Sequence, residues 1–364
     1  MKILLVGEYS SLHWNLAQGL RSLGHSVTVA SDGDGFKNYP RDIDFALNGN
    51  GIGNKIRCFS SIFKNLNKLK GFDVVQIINP CFTRIHRINI HLYRYLRRHN
   101  KKVFLGAFGD DYFYVKMCLE NRKLRYSEFF IKGIPHDMKS NEDLKYAWLN
   151  SYRRKDNIEI ANSCDGIIAC LYEYYVAYED EYKAKLTYIP LPMNLEEIEG
   201  NEITETPSTI KFFIGINKDR QETKGSDLLF EALRNVTSKY PDQTEIIKVE
   251  SVPYSEYVKL LNDSHVVLDQ AYSYSPAMNG LLALAKGKIL VSGGESEMYR
   301  LLGETQNQPI INIEPTVASI SSLLEAIIVN KNEIPSRSAS GRKLVEDHFS
   351  HIKVAQQYLD FWSN

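Results

Sequence analysis

The chain has 364 residues, 43% hydrophobic and 24% charged, with Lys plus Arg and Asp plus Glu each numbering 44. That length allows roughly two domains with ordinary cores, and a formal charge of zero argues against a whole-molecule affinity for nucleic acid. The five cysteines (Cys58, Cys81, Cys118, Cys164, Cys170) form no CxxC pair and no zinc-ligand spacing, so they read as reduced thiols, and no stretch approaches the roughly 18 apolar residues of a membrane span.

The opening MKILLVGEYS reads as a strand rather than an export signal. Its apolar run, Ile3 to Val6, is too short for an h-region and ends at Gly7-Glu8. A helix is expected from Leu12 to Leu23, closed by Gly24, and a second strand from Ser26 to Ala30. Strand, crossover helix and strand then recur. Asp73 to Ile78 is read as a strand, Arg84 to His99 as a helix and Lys102 to Ala107 as a strand, with later strands at Gly166 to Cys170 and Leu186 to Ile189. The Tyr- and Phe-rich stretch from Asp111 to about Asn162 reads as an insertion whose periodicity places no element.

Pro190-Leu-Pro192 and the acidic run to Ser208 read as a linker. Alternation restarts with strands at Ile210 to Ile216, Glu245 to Val249, Val266 to Asp269, Ile289 to Ser292 and Ile310 to Ile313. Between them fall helices at Lys224 to Tyr240, Tyr254 to Asn262, Pro276 to Lys286 and Glu295 to Leu302, and another follows from Ala318 to Asn330. Continuous apolar strands separated by helices define an α/β class with two Rossmann-like, doubly wound parallel-sheet domains.

In their order and spacing, four stretches resemble the group 1 (family 4-like) glycosyltransferases of the GT-B fold. They are GEYSSLHWNLAQGLRSLGHSVTVAS, INKDRQETKGSDLLFEAL, VVLDQAYSYSPAMNGLLALAKGKILVSGGESEMY and GRKLVEDHFSHIKVAQQYLDFW. The resemblance implies an acceptor-binding domain over 1–195 and a nucleotide-sugar domain over 208–348, facing an interdomain cleft. A final helix in 349–364 would return to the first domain. It implies a hexosyltransferase moving a sugar from a nucleotide-diphosphate sugar to a glycan or lipid-linked acceptor with retention, in cell-surface polysaccharide or glycoconjugate assembly. No cofactor or metal is expected. A nucleotide-sugar epimerase on the same frame, and a non-catalytic carbohydrate-binding or assembly protein with a decayed donor site, are the alternatives.

The donor site is expected first in the loop Gly215 to Gly225, after a strand and before a helix. Lys218, Arg220 and Lys224 there suit a diphosphate whose charge grows as the glycosidic bond breaks, unless they form a solvated charged loop. The resemblance assigns that role to Arg220 and Lys224. Ser275 reads as a helix N-cap and Pro276 as the first helical residue, which would aim the amides of Ala277, Met278 and Asn279 at an anion. Gly293 and Gly294 offer close backbone approach and Glu297, matching a family glutamate, an acceptor for sugar or ribose hydroxyls; Glu295 and Glu297 alternatively decorate a helix's first turn. The resemblance also exposes a departure. Two positions where many relatives carry glutamate hold Tyr274 and Leu282.

On the acceptor side, Glu8, His13 and Asn15 lie after the first strand, with His13 either a substrate contact or a packed residue. Asp110 follows the strand Lys102 to Ala107 and is the candidate for proton transfer, against the reading of Asp110-Asp111 as a turn or cap. Between residues 55 and 102 there are twelve bases and the single acid Asp73. That basic face suggests peripheral contact with the inner face of the cytoplasmic membrane, or a solvated surface, for a protein expected to be cytoplasmic.

Overall fold

The run Ile3 to Val6 is completely buried, as are Phe212, Phe213 and Ile214. Strands apolar on both faces need cover on both faces, which is how a central parallel strand is made. In a computed structural model, which describes residues 1–45, 51–120, 123–136, 138–217, 221–250 and 252–364, these runs centre two separate sheets. The first has seven strands in the order Leu186–Tyr188, Gly166–Ala169, Lys102–Ala107, Val74–Ile77, Lys2–Val6, Ser26–Ser31 and Ile43–Asp44. The second has five, in the order Thr244–Glu250, Ile210–Ile216, Val266–Leu268, Ile289–Ser292 and Ile311–Asn312. Every neighbouring pair in both is parallel.

Each order reverses once. In the first sheet the reversal lies between Lys2–Val6 and Val74–Ile77, and in the second between Ile210–Ile216 and Val266–Leu268. Ligands of open α/β sheets bind outside the carboxyl ends of the strands at such points.

The chain divides into two compact units. One comprises Met1–Met117, Asp143–Asn194 and Ser350–Asn364, the other Cys118–Glu142 and Leu195–Phe349. Residues 118–142, placed by the sequence reading inside the first domain, thus group with the second unit. They carry a small antiparallel sheet of Tyr126–Ser127, Phe130–Ile131 and Ile134–Pro135. The physical reason is that Tyr126 and Phe130 are buried, and Tyr126 packs against Tyr274 with ring centroids 5.0 Å apart and planes tilted by 34°.

Two expected helices are subdivided. Arg84 to His99 becomes a short 3₁₀ turn, His86–Ile88, followed by the helix Asn89–His99. The buried Asn89 side chain exchanges hydrogen bonds with Thr83 at 2.7 and 3.1 Å. Lys224 to Tyr240 becomes Gln221–Lys224 and Ser226–Thr237, broken at Gly225, whose φ is 66°. A Cβ at Gly225 would also lie 2.7 Å from the Ala271 methyl, so only glycine fits.

The helix His351–Ser363 packs on the helix Leu12–Ser22. Tyr358 and Trp362 are buried, and Lys102 Nζ donates to the Trp362 carbonyl at 2.9 Å. The two helices approach so closely at Gly19 that a Cβ there would lie 2.2 Å from the His351 carbonyl oxygen. Gly19→Val is therefore expected to destabilise the first unit by about 1–3 kcal/mol or more, read as a lowered urea midpoint.

Candidate functional site

In the second unit, Asp269 directly follows the strand Val266–Leu268, at the reversal point. Its side chain is 2% exposed. Oδ1 accepts from Asn279 Nδ2 at 2.9 Å and faces Lys224 Nζ at 3.9 Å, while Oδ2 has no hydrogen-bond partner among the described residues. Tyr257 donates its hydroxyl proton to Asn279 Oδ1 at 2.6 Å. A hydroxyl, an amide, a carboxylate and an ammonium thus form one chain of contacts. The Lys224 carbonyl accepts from the Ala271 amide at 2.8 Å, which fixes the lysine's backbone beside the same strand end.

Of the residues the sequence singled out for the donor, Lys224, Gly225 and Asn279 come together here. Arg220, with Lys218, lies outside the described residues. Ala277 is the N-cap of the helix Met278–Ala285 and makes no side-chain capping bond. Ser275 does not cap this helix because it is held in a turn, its amide donating to Ser273 Oγ at 3.2 Å. The helix leaves its first amides without intrahelical acceptors, so its positive end stands beside Asn279.

Gly293, Gly294 and Glu297 form a second cluster, after the strand Ile289–Ser292. A Cβ on Gly293 would fall 1.8 Å from the Ser273 carbonyl oxygen, and one on Gly294 would fall 2.6 Å from the Ile310 side chain. Close packing within the unit therefore accounts for both glycines. Glu297 and Glu295 are held by the 118–142 segment. Arg125 pairs with Glu295 at 2.7 Å and with both oxygens of Glu297, the longer bond being 3.2 Å. Tyr126 donates to Glu295 at 2.6 Å. The Arg125 bond holds the Glu297 carboxyl below its usual range. The Arg125 guanidinium also lies over the Tyr274 ring, 5.0 Å from its centroid, and its amide donates to the Tyr274 hydroxyl. Tyr274 and Leu282 are both buried.

Asp269, Tyr257, Arg125 and Tyr126 escaped the sequence reading. Asp269 leaves a signal, a charge closing an otherwise apolar run, but the run alone reads as one strand through Asp269, whereas the strand ends at Leu268. Arg125 and Tyr126 left none, because the segment carrying them has no clear period.

In the first unit, both oxygens of the buried Glu8 are occupied. They accept from the His13 and Trp14 amides at 3.1 and 2.9 Å, at the start of the helix Leu12–Ser22. Burial nevertheless pushes its pKa up to about 8. His13 is fully buried and donates from Nδ1 to the Gly7 carbonyl at 2.8 Å; burial lowers its pKa to about 3. Asn15 is engaged at both ends of its amide, accepting from Ser11 and donating to the Pro192 carbonyl at 3.0 Å. These three residues therefore organise the loop from inside.

Asp110 is partly exposed at the carboxyl end of Lys102–Ala107. Its neighbour Asp111 is buried, accepting from the Tyr114 amide at 3.0 Å and the Tyr178 hydroxyl at 2.6 Å, and burial raises its pKa to about 7. Asp111 caps, which leaves Asp110 as the accessible member of the pair. Among the described residues, no group of three or more His, Cys, Asp or Glu side chains is placed to hold a metal ion, and no helix is long and apolar enough to cross a membrane.

No protein-family model matches the chain, and no curated protein matches its sequence. Solved structures do match. Sucrose-phosphate synthase from Thermosynechococcus elongatus superposes with a TM-score of 0.60 at 12% identity, covering 100% of this chain and 98% of that one. The Anabaena protein HepE in complex with UDP-glucose gives 0.62 at 12% identity, covering 100% and 99%. A glycosyltransferase from Rickettsia africae gives 0.55 at 14% identity, covering 99% and 97%. At such identities the likeness is one of fold, and the fold is GT-B, built from two Rossmann-like domains.

Glu8 and Asp111 both bind protons more tightly in the folded chain than in the unfolded one. Their contribution is fully present below about pH 4 and is lost as pH rises through about 7 to 8. Glu8→Gln is expected to flatten the fall in urea midpoint between about pH 5 and pH 8.

Proposed function

We propose that this protein is a glycosyltransferase that moves a hexose-type sugar from a nucleotide-diphosphate sugar to a glycan or lipid-linked acceptor, with retention, in the assembly of surface polysaccharide or glycoconjugate. The observation that carries the reading is the Lys224 ammonium at the reversal point of the second sheet, 3.9 Å from the buried Asp269 carboxylate, which the half-buried Asn279 and Tyr257 hold in turn. A fixed cation beside the positive end of a helix suits a diphosphate. In the transfer, the bond from the sugar's anomeric carbon to the diphosphate breaks, and its electron pair leaves with the phosphate oxygen. A bond to the acceptor hydroxyl oxygen forms, and the hydroxyl proton is lost. Lys224, with Arg220 by resemblance, stabilises the departing charge. Asp110 is the proposed proton acceptor.

Glu297 enters this reading as a carboxylate already oriented by Arg125, available to sugar hydroxyls through its remaining lone pairs. Support for a nucleotide-sugar donor comes also from fold neighbours, since HepE is described in complex with UDP-glucose. The Arg125 and Tyr126 contacts to Glu295 and Glu297, with tyrosine and leucine at the two glutamate positions, favour the decayed-site alternative as the second reading.

Lys224→Ala and Arg220→Ala are each expected to lower kcat/KM for transfer by about a hundredfold or more, with the thermal midpoint nearly unchanged. Full activity in both variants would remove the proposal. Thermal shift with UDP-, GDP- and ADP-linked sugars separates the second reading, because a decayed site gives no stabilisation with any of them.

A further inference from the structure

The basic stretch 55–102 divides into two parts that differ in what their charges meet. In the later part, Arg84 pairs with Asp32 at 2.9 Å, Arg94 with Glu159 at 2.7 Å, Arg97 with Asp165, and Lys101 with Asp73 at 2.7 Å. Leu92 and Leu96 there face the core. Four of that part's seven bases, Arg84, Arg94, Arg97 and Lys101, are thus neutralised from within.

The earlier part is the helix Ile52–Asn65. Only its Cys58 and Ile62 are buried, whereas Ile52, Ile56, Phe59 and Phe63 are 79%, 64%, 52% and 67% exposed. At about 100° per residue, these four fall within an arc of roughly 60°, centred roughly 110° around the helix from the buried pair. Phe59 and Phe63 stack on one another, with centroids 6.4 Å apart. Lys55 borders the stripe on one side, with Arg57 and Lys64 beyond it on the other. No acidic residue occurs from Gly51 to Phe72, and among the described residues these three bases form no ion pair.

We propose that this helix is a docking surface for an anionic lipid bilayer, lying in the plane of the interface with Ile52, Ile56, Phe59 and Phe63 among the acyl chains and the flanking bases at the headgroups. An apolar stripe edged by cations, with no acid among them, matches a surface that is apolar inside and negative outside. The same charge pattern disfavours a second copy of the chain as occupant. A two-fold contact would set like patches together, and bases against bases repel. The surface is independent of the sugar-transfer reading.

The test is flotation with vesicles of phosphatidylcholine, alone or with about one third phosphatidylglycerol. The chain is expected to float at least about tenfold more with the anionic vesicles, and raising salt to about 0.5 M is expected to weaken that binding. Phe59→Ser with Phe63→Ser should reduce it about tenfold, and Lys55→Glu with Lys64→Glu should abolish the preference for anionic lipid, both at an unchanged thermal midpoint. Phe63→Trp adds a local readout, a blue shift of the added fluorescence on anionic vesicles. Equal or absent binding to the two vesicle types would overturn the proposal. So would retained binding in the Phe59/Phe63 variant, or a dimer in solution that this variant converts to monomer.

Discussion

A carboxylate taken out of water must be held by donors or cations, and at the carboxyl end of the second unit's parallel strands that requirement falls on Asp269. It sits where the second sheet reverses direction, so whatever satisfies it is drawn to the same point. Asn279 arrives from the first turn of a helix, braced by Tyr257, and Lys224 from the end of the short helix Gln221–Lys224. The lysine is therefore not a freely swinging surface charge, because its backbone is tied to Ala271 and its head faces a buried anion. A cation ordered before its ligand arrives loses little freedom on binding, which is the economy of preorganisation.

The second cluster answers a related problem by other means. Glu295 and Glu297 are like charges close together, and Arg125 lies between them while Tyr126 satisfies one remaining oxygen. The cation comes from a segment far earlier in sequence that nonetheless belongs to the second unit. Its ring contacts with Tyr274 give that tyrosine a packing role at a position where the resemblance led one to look for a carboxylate.

Periodicity made the sheets legible because strands such as Ile3 to Val6 and Ile210 to Ile216 are apolar throughout, and each alternates with a helix. The GT-B architecture followed from that alternation and from the order of the four resembling stretches. Where chain geometry overrides period, the reading slipped. Gly225 breaks a continuous helical pattern through its positive φ, and Ser275 is held in a turn instead of capping. Lys224 was legible as a base between a strand and a helix, and Asn279 only for its backbone amide at a helix start; that the Asn279 side chain meets Asp269 was not. Glu8 and His13 are buried and Asn15 is engaged by Ser11 and the Pro192 carbonyl, and side-chain direction is invisible in a list of residue types. Arg125 and Tyr126 were illegible for a different reason. Their partners lie about 150 to 170 residues away, and no local pattern encodes such a pairing.

The return of His351–Ser363 to the first helix bears on how the chain is made. Trp362, Tyr358 and the contact at Gly19 are parts of the amino-terminal core, yet they are translated after the whole of the second unit. A nascent first unit leaving the ribosome lacks one wall, and its apolar surface around Leu12–Ser22 stays uncovered through the synthesis of Leu195–Phe349. The second unit has all of its own chain by then, so it is the first of the two whose core can close.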